Sequence, residues 1–181
     1  MVVLTAATVT VGLVALASFG LVLVLARRLR SVTERVNAFL PVMLGTLPRP
    51  GTVVGEFSAV ALTGEVITRD DFLVEERVFA VLSTGCGDCQ AEVAAFAKVG
   101  ARLTWPAVVG VIGRPEARRP MVAALAEHVV VLEESTFGPL TEAFQVSEFP
   151  VVLLVRDGRI QAAEHALAPV LAAMRRPVLV D

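Results

Sequence analysis

Two cysteines stand three residues apart in a chain of 181 residues, as Cys86-Gly87-Asp88-Cys89, and the chain has no others. Random placement would give that separation about once in 90 chains, so the spacing asks for a cause. Two thiols this close can shut into a disulfide and reopen, which is a two-electron couple. The pair follows a continuous apolar run, Val78-Phe79-Ala80-Val81-Leu82, and precedes a helical pattern through Val93, Phe96, Ala97 and Val99. It therefore belongs at a strand-to-helix junction. The backbone N–H groups of a helix start face the first sulfur, and the helix dipole favours its thiolate. Cys86 is the expected nucleophile and Cys89, one turn later, the expected resolver. Gly87 and Asp88, between them, are the positions expected to modulate the thiol pKa. A carboxylate beside a thiolate disfavours it, so Asp88 should raise the Cys86 pKa and make the couple more reducing.

Other chemistries find less support. A zinc site needs four ligands, and only His128 and His165 remain beside the carboxylates, at a spacing that fits no compact finger. No P-loop and no glycine-rich dinucleotide fingerprint occurs. Neither a metal nor a cofactor is expected. Two buried cysteines that never react remain the bland alternative.

The elements that must hold the pair alternate. Val53 to Ala61 and Gly64 to Ile67 read as a short hairpin turning at Thr63-Gly64. Val78 to Leu82 and Ala107 to Ile112 read as buried strands, and Val129 to Leu132 as a third. Glu116 to His128 reads as an amphipathic helix in which Pro120 argues for a kink or a late start. Phe137 to Phe144 reads as a short helix and Ala166 to Arg176 as a closing one. Val151 to Val155 and Arg159 to Ala163 flank Asp157-Gly158, a hairpin turn signal. This order predicts an α/β fold, a mixed sheet flanked by helices on both faces.

The amino-terminal part differs in kind. Val2 to Ala26 is 25 residues without a charge, Pro, Asn or Gln. About 20 apolar residues span a bilayer core, so residues 1–26 are expected to be one uncleaved transmembrane helix. Residues 27–50 read as a juxtamembrane stalk and linker, with Leu29, Val32, Val36, Phe39 and Leu40 at near-helical spacing up to Pro41. Residues 51–181 form the expected globular domain, 131 residues carrying 11 basic and 17 acidic side chains. With a whole-chain formal charge of −2, there is no basic field for nucleic acid. Arg27, Arg28, Arg30 and Arg35 follow the span, and the positive-inside rule would keep that side cytoplasmic.

Residues 51–181 resemble the thioredoxin-fold domain of the membrane-anchored TlpA/ResA-like thiol–disulfide oxidoreductases. The carrying features are Gly55-Glu56-Phe57, Gly64-Glu65-Val66, Cys86-Gly87-Asp88-Cys89, Phe144-Gln145-Val146, Phe149-Pro150 and Asp157-Gly158. The anchor with its arginine-rich stalk is also similar to the thioredoxin-like accessory protein of methylamine utilisation. The resemblance implies a membrane-tethered enzyme that reduces protein disulfides, with an unidentified electron donor restoring the dithiol. It implies that Pro150 is a cis-proline opposite the cysteines, and that the backbone of Phe149 pairs with substrate. It also places the domain on the extracytoplasmic side of the cell membrane, against the arginine cluster. A non-catalytic adaptor that binds a partner near Phe149-Pro150 is the alternative. A thiol peroxidase is a weaker one: Ser83 fits the hydroxyl position of such sites, but Phe79 stands where they carry proline. Three departures from the family pattern stand out. Gly85 replaces the tryptophan that often precedes the first cysteine, Ala80 stands where many thioredoxins bury an acid, and Asp88 lies between the cysteines. Glu148, beside the proline, could replace the missing acid only by reaching the sulfurs.

Overall fold

Alternating apolar runs and amphipathic stretches build one five-stranded sheet, with the segment Arg77–Ser83 at its centre. The computed structural model describes residues 46–103, 107–135 and 137–174. The expected anchor (residues 1–26), nearly all of the expected stalk and the last residues of the expected closing helix lie outside the described residues. No helix among the described residues is long and apolar enough to cross a membrane.

A small antiparallel hairpin, β1 (Ser58–Val60) and β2 (Val66–Thr68), comes first. The main sheet has the order β5-β4-β3-β6-β7, with β3 (Arg77–Ser83), β4 (Val108–Ile112), β5 (Val130–Glu134), β6 (Val151–Arg156) and β7 (Arg159–Glu164). Strands β3, β4 and β5 run parallel; β6 runs antiparallel to β3, and β7, antiparallel to β6, returns to the direction of β3. The parallel strands need crossovers, and α1 (Cys89–Val99) and α2 (Pro115–Leu125) supply them. The helix α3 (Pro139–Ala143) leads back to β6, and α4 (Leu167–Ala173) closes the fold.

Side chains alternate across β3, so its two faces feed two apolar layers. Phe79 and Val81 join Phe57, Phe72, Phe144 and Leu153 on one side. Phe79 stacks on Phe144 with ring centroids 3.7 Å apart, and Phe72 meets both rings edge-on. Val78, Ala80 and Leu82 face the other layer, with Val93 and Phe96 of α1, Met121 and Leu125 of α2, and Leu167 and Val170 of α4. A strand covered on both faces must be apolar throughout, which is why Val78 to Leu82 carries no polar residue. Each fully buried Phe or Leu contributes roughly 1.5–3 kcal/mol.

Several expected elements are trimmed, for physical reasons. The first strand is only Ser58–Val60, because the Val54 and Gly55 amides bond instead to the carbonyls of Gly158 and Ala143. The helix expected at Glu116 to His128 starts at Pro115 and ends at Leu125, with Pro120 inside it. Pro115 occupies the first helical turn, where a missing N–H costs nothing, so Pro120 does not delay the start. The β6–β7 turn matches its signal: Asp157 and Gly158 both have positive φ, 52° and 65°. A Cβ on Gly158 would lie 2.5 Å from Leu73 Cδ2, so glycine is required twice over there.

Candidate active site

Helix α1 opens on the second cysteine. Asp88 is its N-cap residue, in αR geometry and without a side-chain cap bond, so its carboxylate stays in solvent beside the helix start. Cys86 and Cys89 are joined as a disulfide, with Cα atoms 5.4 Å apart. The Cys89 N–H donates to Cys86 Sγ at 3.3 Å, the contact that a helix start should offer the first sulfur. The Ser83 N–H donates to Cys89 Sγ at 3.4 Å. The turn between strand and helix is closed by Cys86 N–H to the Ser83 carbonyl, 3.2 Å, and by Gly85 N–H to Ser83 Oγ, 3.3 Å.

The two sulfurs are unequal. Cys89 is wholly buried in the apolar layer under α1, whereas Cys86 is half-buried and Gly85, Gly87 and Asp88 are exposed. Gly85, in place of a large side chain, leaves the first cysteine open on that side.

The register brings the second expected site segment alongside. Val81 pairs with Val151, the first residue of β6, so Pro150 precedes β6 at the end of the sheet where β3 runs on toward the cysteines. The Phe149–Pro150 peptide is cis, as the resemblance implied. Phe149 is half-buried, touches both apolar layers, and stacks on Phe137 with centroids 5.3 Å apart. Cys86 leans on one of those same layers. The segment just before the domain also packs here: Ser147 Oγ donates to the Thr46 carbonyl at 3.0 Å, and Leu47 joins the phenylalanine layer.

Glu148 has another partner than the sulfurs. Its Oε1 lies 3.6 Å from His165 Nε2, and His165 Nδ1 lies 2.9 Å from the Pro150 carbonyl. Among the described residues no carboxylate is buried to replace the absent acid at Ala80, which is itself fully buried.

Three side chains around the site escaped the reading of the sequence. Glu92, in the first turn of α1, accepts the Leu167 N–H at 2.8 Å and ties that helix to the start of α4. Its only signal was an acid near a helix N-terminus. His165 had none, because its closer partner is a backbone carbonyl and Glu148 lies far from it along the chain. Glu134, at the end of β5, accepts the Leu140 N–H at 3.2 Å and the Thr141 hydroxyl at 3.5 Å. Burial pushes its carboxyl pKa up, and these hydrogen bonds only partly offset that, while Glu142 adds to the rise.

No family model and no curated protein matches the sequence. Solved structures do match. The thioredoxin domain of a thiol-disulfide oxidoreductase from Bacteroides vulgatus superposes with TM-score 0.56 at 17% identity, covering 69% of this chain and 94% of that one. A secreted Mycobacterium tuberculosis disulfide oxidoreductase, homologous to E. coli DsbE, gives 0.55 at 18% over 65% and 96%. A Thermus thermophilus thio-disulfide isomerase gives 0.52 at 21% over 69% and 93%. The described residues form a thioredoxin fold. At these identities the likeness is one of fold, and the chemistry must be argued from the cysteines themselves.

Proposed function

We propose that this chain is a membrane-tethered thiol–disulfide oxidoreductase that reduces protein disulfides through Cys86 and Cys89. The observation that carries the reading is the asymmetry of the pair at the start of α1. Cys86 is partly open to solvent and receives an N–H from the helix start, while Cys89 is sealed beneath it. A nucleophile must be reachable and its thiolate stabilised, and a resolver must be close but protected from other partners.

The cycle balances without a cofactor. The Cys86 thiolate attacks one sulfur of a substrate disulfide, a mixed disulfide forms, and the other substrate sulfur leaves as thiolate. The Cys89 thiolate then attacks Cys86 Sγ, releasing the second substrate thiolate and closing the Cys86–Cys89 disulfide. Two electrons have passed to the substrate, and a dithiol donor reopens the pair. Phe149 and Pro150, beside the cysteines, receive the substrate backbone. Asp88, exposed next to the nucleophile, disfavours its thiolate and biases the couple toward reduction. Gly87, also exposed and without a side chain, leaves the nucleophile's surroundings open.

The apolar residues 2–26 tether the domain, and we place it outside the cytoplasm. The fold neighbour from Mycobacterium tuberculosis is described as secreted, which supports that side, and the arginine cluster after residue 26 opposes it. A reporter fused after Asp181 and active only in the cytoplasm would reject the placement.

The decisive test is trapping. In a Cys89→Ala chain the mixed disulfide cannot be resolved, so proteins linked to Cys86 should accumulate and disappear on reduction. A folded Cys89→Ala chain that traps nothing would instead favour an adaptor that binds without exchange.

A further inference from the structure

We propose that His165 is a positioning residue for the substrate-receiving loop Glu148-Phe149-Pro150, holding it from both ends. The proposal rests on the oxidoreductase reading above and concerns how that site meets a peptide. His165 directly follows β7, whose Glu164 pairs with Val152 of β6, so the imidazole is mounted on the rigid end of the sheet. From there it reaches Pro150 through Nδ1 and Glu148 through Nε2, on either side of Phe149. Its side chain is 57% exposed, so a bound peptide can meet it.

Elementary hydrogen-bond chemistry fixes the protons. A carbonyl oxygen only accepts, so Nδ1 at 2.9 Å from Pro150 O carries a hydrogen. In a neutral imidazole Nε2 then presents a lone pair to the Glu148 carboxylate, which is repulsive. In the imidazolium both nitrogens donate, and both contacts become attractive. The charged groups around it are acidic: Glu148 on the loop, Glu164 before it on β7, and Glu92 of α1, which holds the Leu167 amide two residues further on. Helix α4, Leu167–Ala173, carries no charge. The loop is therefore gripped at both ends when His165 is protonated and at one end when it is neutral. Holding a receiving loop in its bound shape lowers the cost of binding, so the effect belongs on KM.

The test uses the full chain with dithiothreitol as reductant and two substrates, insulin and hydroxyethyl disulfide. Insulin presents a peptide backbone to the loop; hydroxyethyl disulfide presents only sulfurs. His165→Ala should raise KM for insulin roughly fivefold, the worth of one hydrogen bond, with a much smaller change in kcat and in KM for the small disulfide. His165→Gln, which keeps a donor for the Pro150 carbonyl, should recover most of that loss. A parallel loss with both substrates would mark a merely structural role and overturn the proposal. So would an unchanged insulin KM, or a His165→Gln chain that loses as much as His165→Ala. A wild-type chain that reduces neither substrate would overturn the oxidoreductase reading and this proposal together.

Discussion

Gly113 lies close against Thr84 in the turn that leads to the cysteines, and replacing it with alanine should be costly. Its φ is +148°, open to glycine and strained for any L side chain by about 1–3 kcal/mol. A Cβ there would lie 2.2 Å from Thr84 Oγ1, 2.8 Å from its Cγ2 and 3.0 Å from its Cβ. Overpacking of that kind costs about 1–3 kcal/mol more, and rotating Thr84 cannot relieve it, because the Cβ contact does not depend on χ1. The lost freedom of the unfolded chain returns about 0.4–1 kcal/mol. The net is a destabilisation of roughly 1–6 kcal/mol, a large share of the 5–15 kcal/mol typical of a domain. Thermal and urea unfolding of the full chain measure it, and Tm should fall on the order of 10 °C. Thr84→Ala removes the two shortest contacts and leaves the φ strain. The double variant Gly113→Ala/Thr84→Ala should therefore recover about 1–2 kcal/mol beyond additivity. Thr84 lies two residues before Cys86, and its N–H holds the Ile112 carbonyl at 3.0 Å. Disulfide reduction by Gly113→Ala should thus fall further than its folded fraction does. Strict additivity, or a Gly113→Ala variant within about 0.5 kcal/mol of wild type, would refute the close-approach argument.

Two further perturbations address the charges near the site. Asp88→Asn removes the carboxylate beside the nucleophile, so the Cys86 thiol pKa, read from thiolate absorbance in the reduced chain, should fall. Because Asp88 is exposed and screened, the shift should stay under about one unit. The reduction potential should then rise by at most about 30 mV, and an unchanged or higher pKa would sink the argument. Glu134 has its pKa raised above 4.5 by burial, so the folded chain binds that proton more tightly than the unfolded one. Its contribution to stability is present below pH 4.5 and is lost as pH rises through the folded value. Glu134→Gln keeps an oxygen for the Leu140 N–H and cannot titrate, so its Tm relative to wild type should increase with pH above 4.5. A Tm difference that is flat with pH, or that declines, contradicts the burial account.

The legible parts of this chain were those in which local chemistry decides the outcome. Asp157-Gly158 turns because both positions need positive φ, and Val78 to Leu82 is central because nothing polar interrupts it. The Cys86–Cys89 spacing announced itself without any tertiary information. The helix limits were less readable, since Pro120 argues against a helix that Pro115 had already begun. What the sequence did not disclose is the set of contacts made across long separations by single side chains. Glu92 to the Leu167 amide and His165 to the Pro150 carbonyl pair a side chain with a backbone group, and a backbone group leaves no mark in a sequence. Glu148 illustrates the same limit: its position beside the proline was readable, its engagement with His165 was not.

In the proposed cycle, the missing acid at Ala80 shapes how the second half of the exchange would have to run. Cys89 is fully buried, and the contact to its sulfur is a donor, the Ser83 N–H. A donor favours the thiolate but cannot remove the proton that stands in the way of attack on Cys86. The buried surroundings work in the opposite direction, since desolvation disfavours a charged sulfur. A base must therefore come from outside the buried layer once the mixed disulfide has formed. The substrate thiolate released in the first step is formed beside Cys86 and has the right chemistry to accept that proton. On this account the first substrate sulfur serves as leaving group and then as base, so release and resolution are coupled. In that proposed cycle, substrates held by the Phe149-Pro150 segment would keep the sulfur near Cys89 for longer, and a loop braced by His165 would serve the second step as well as the first.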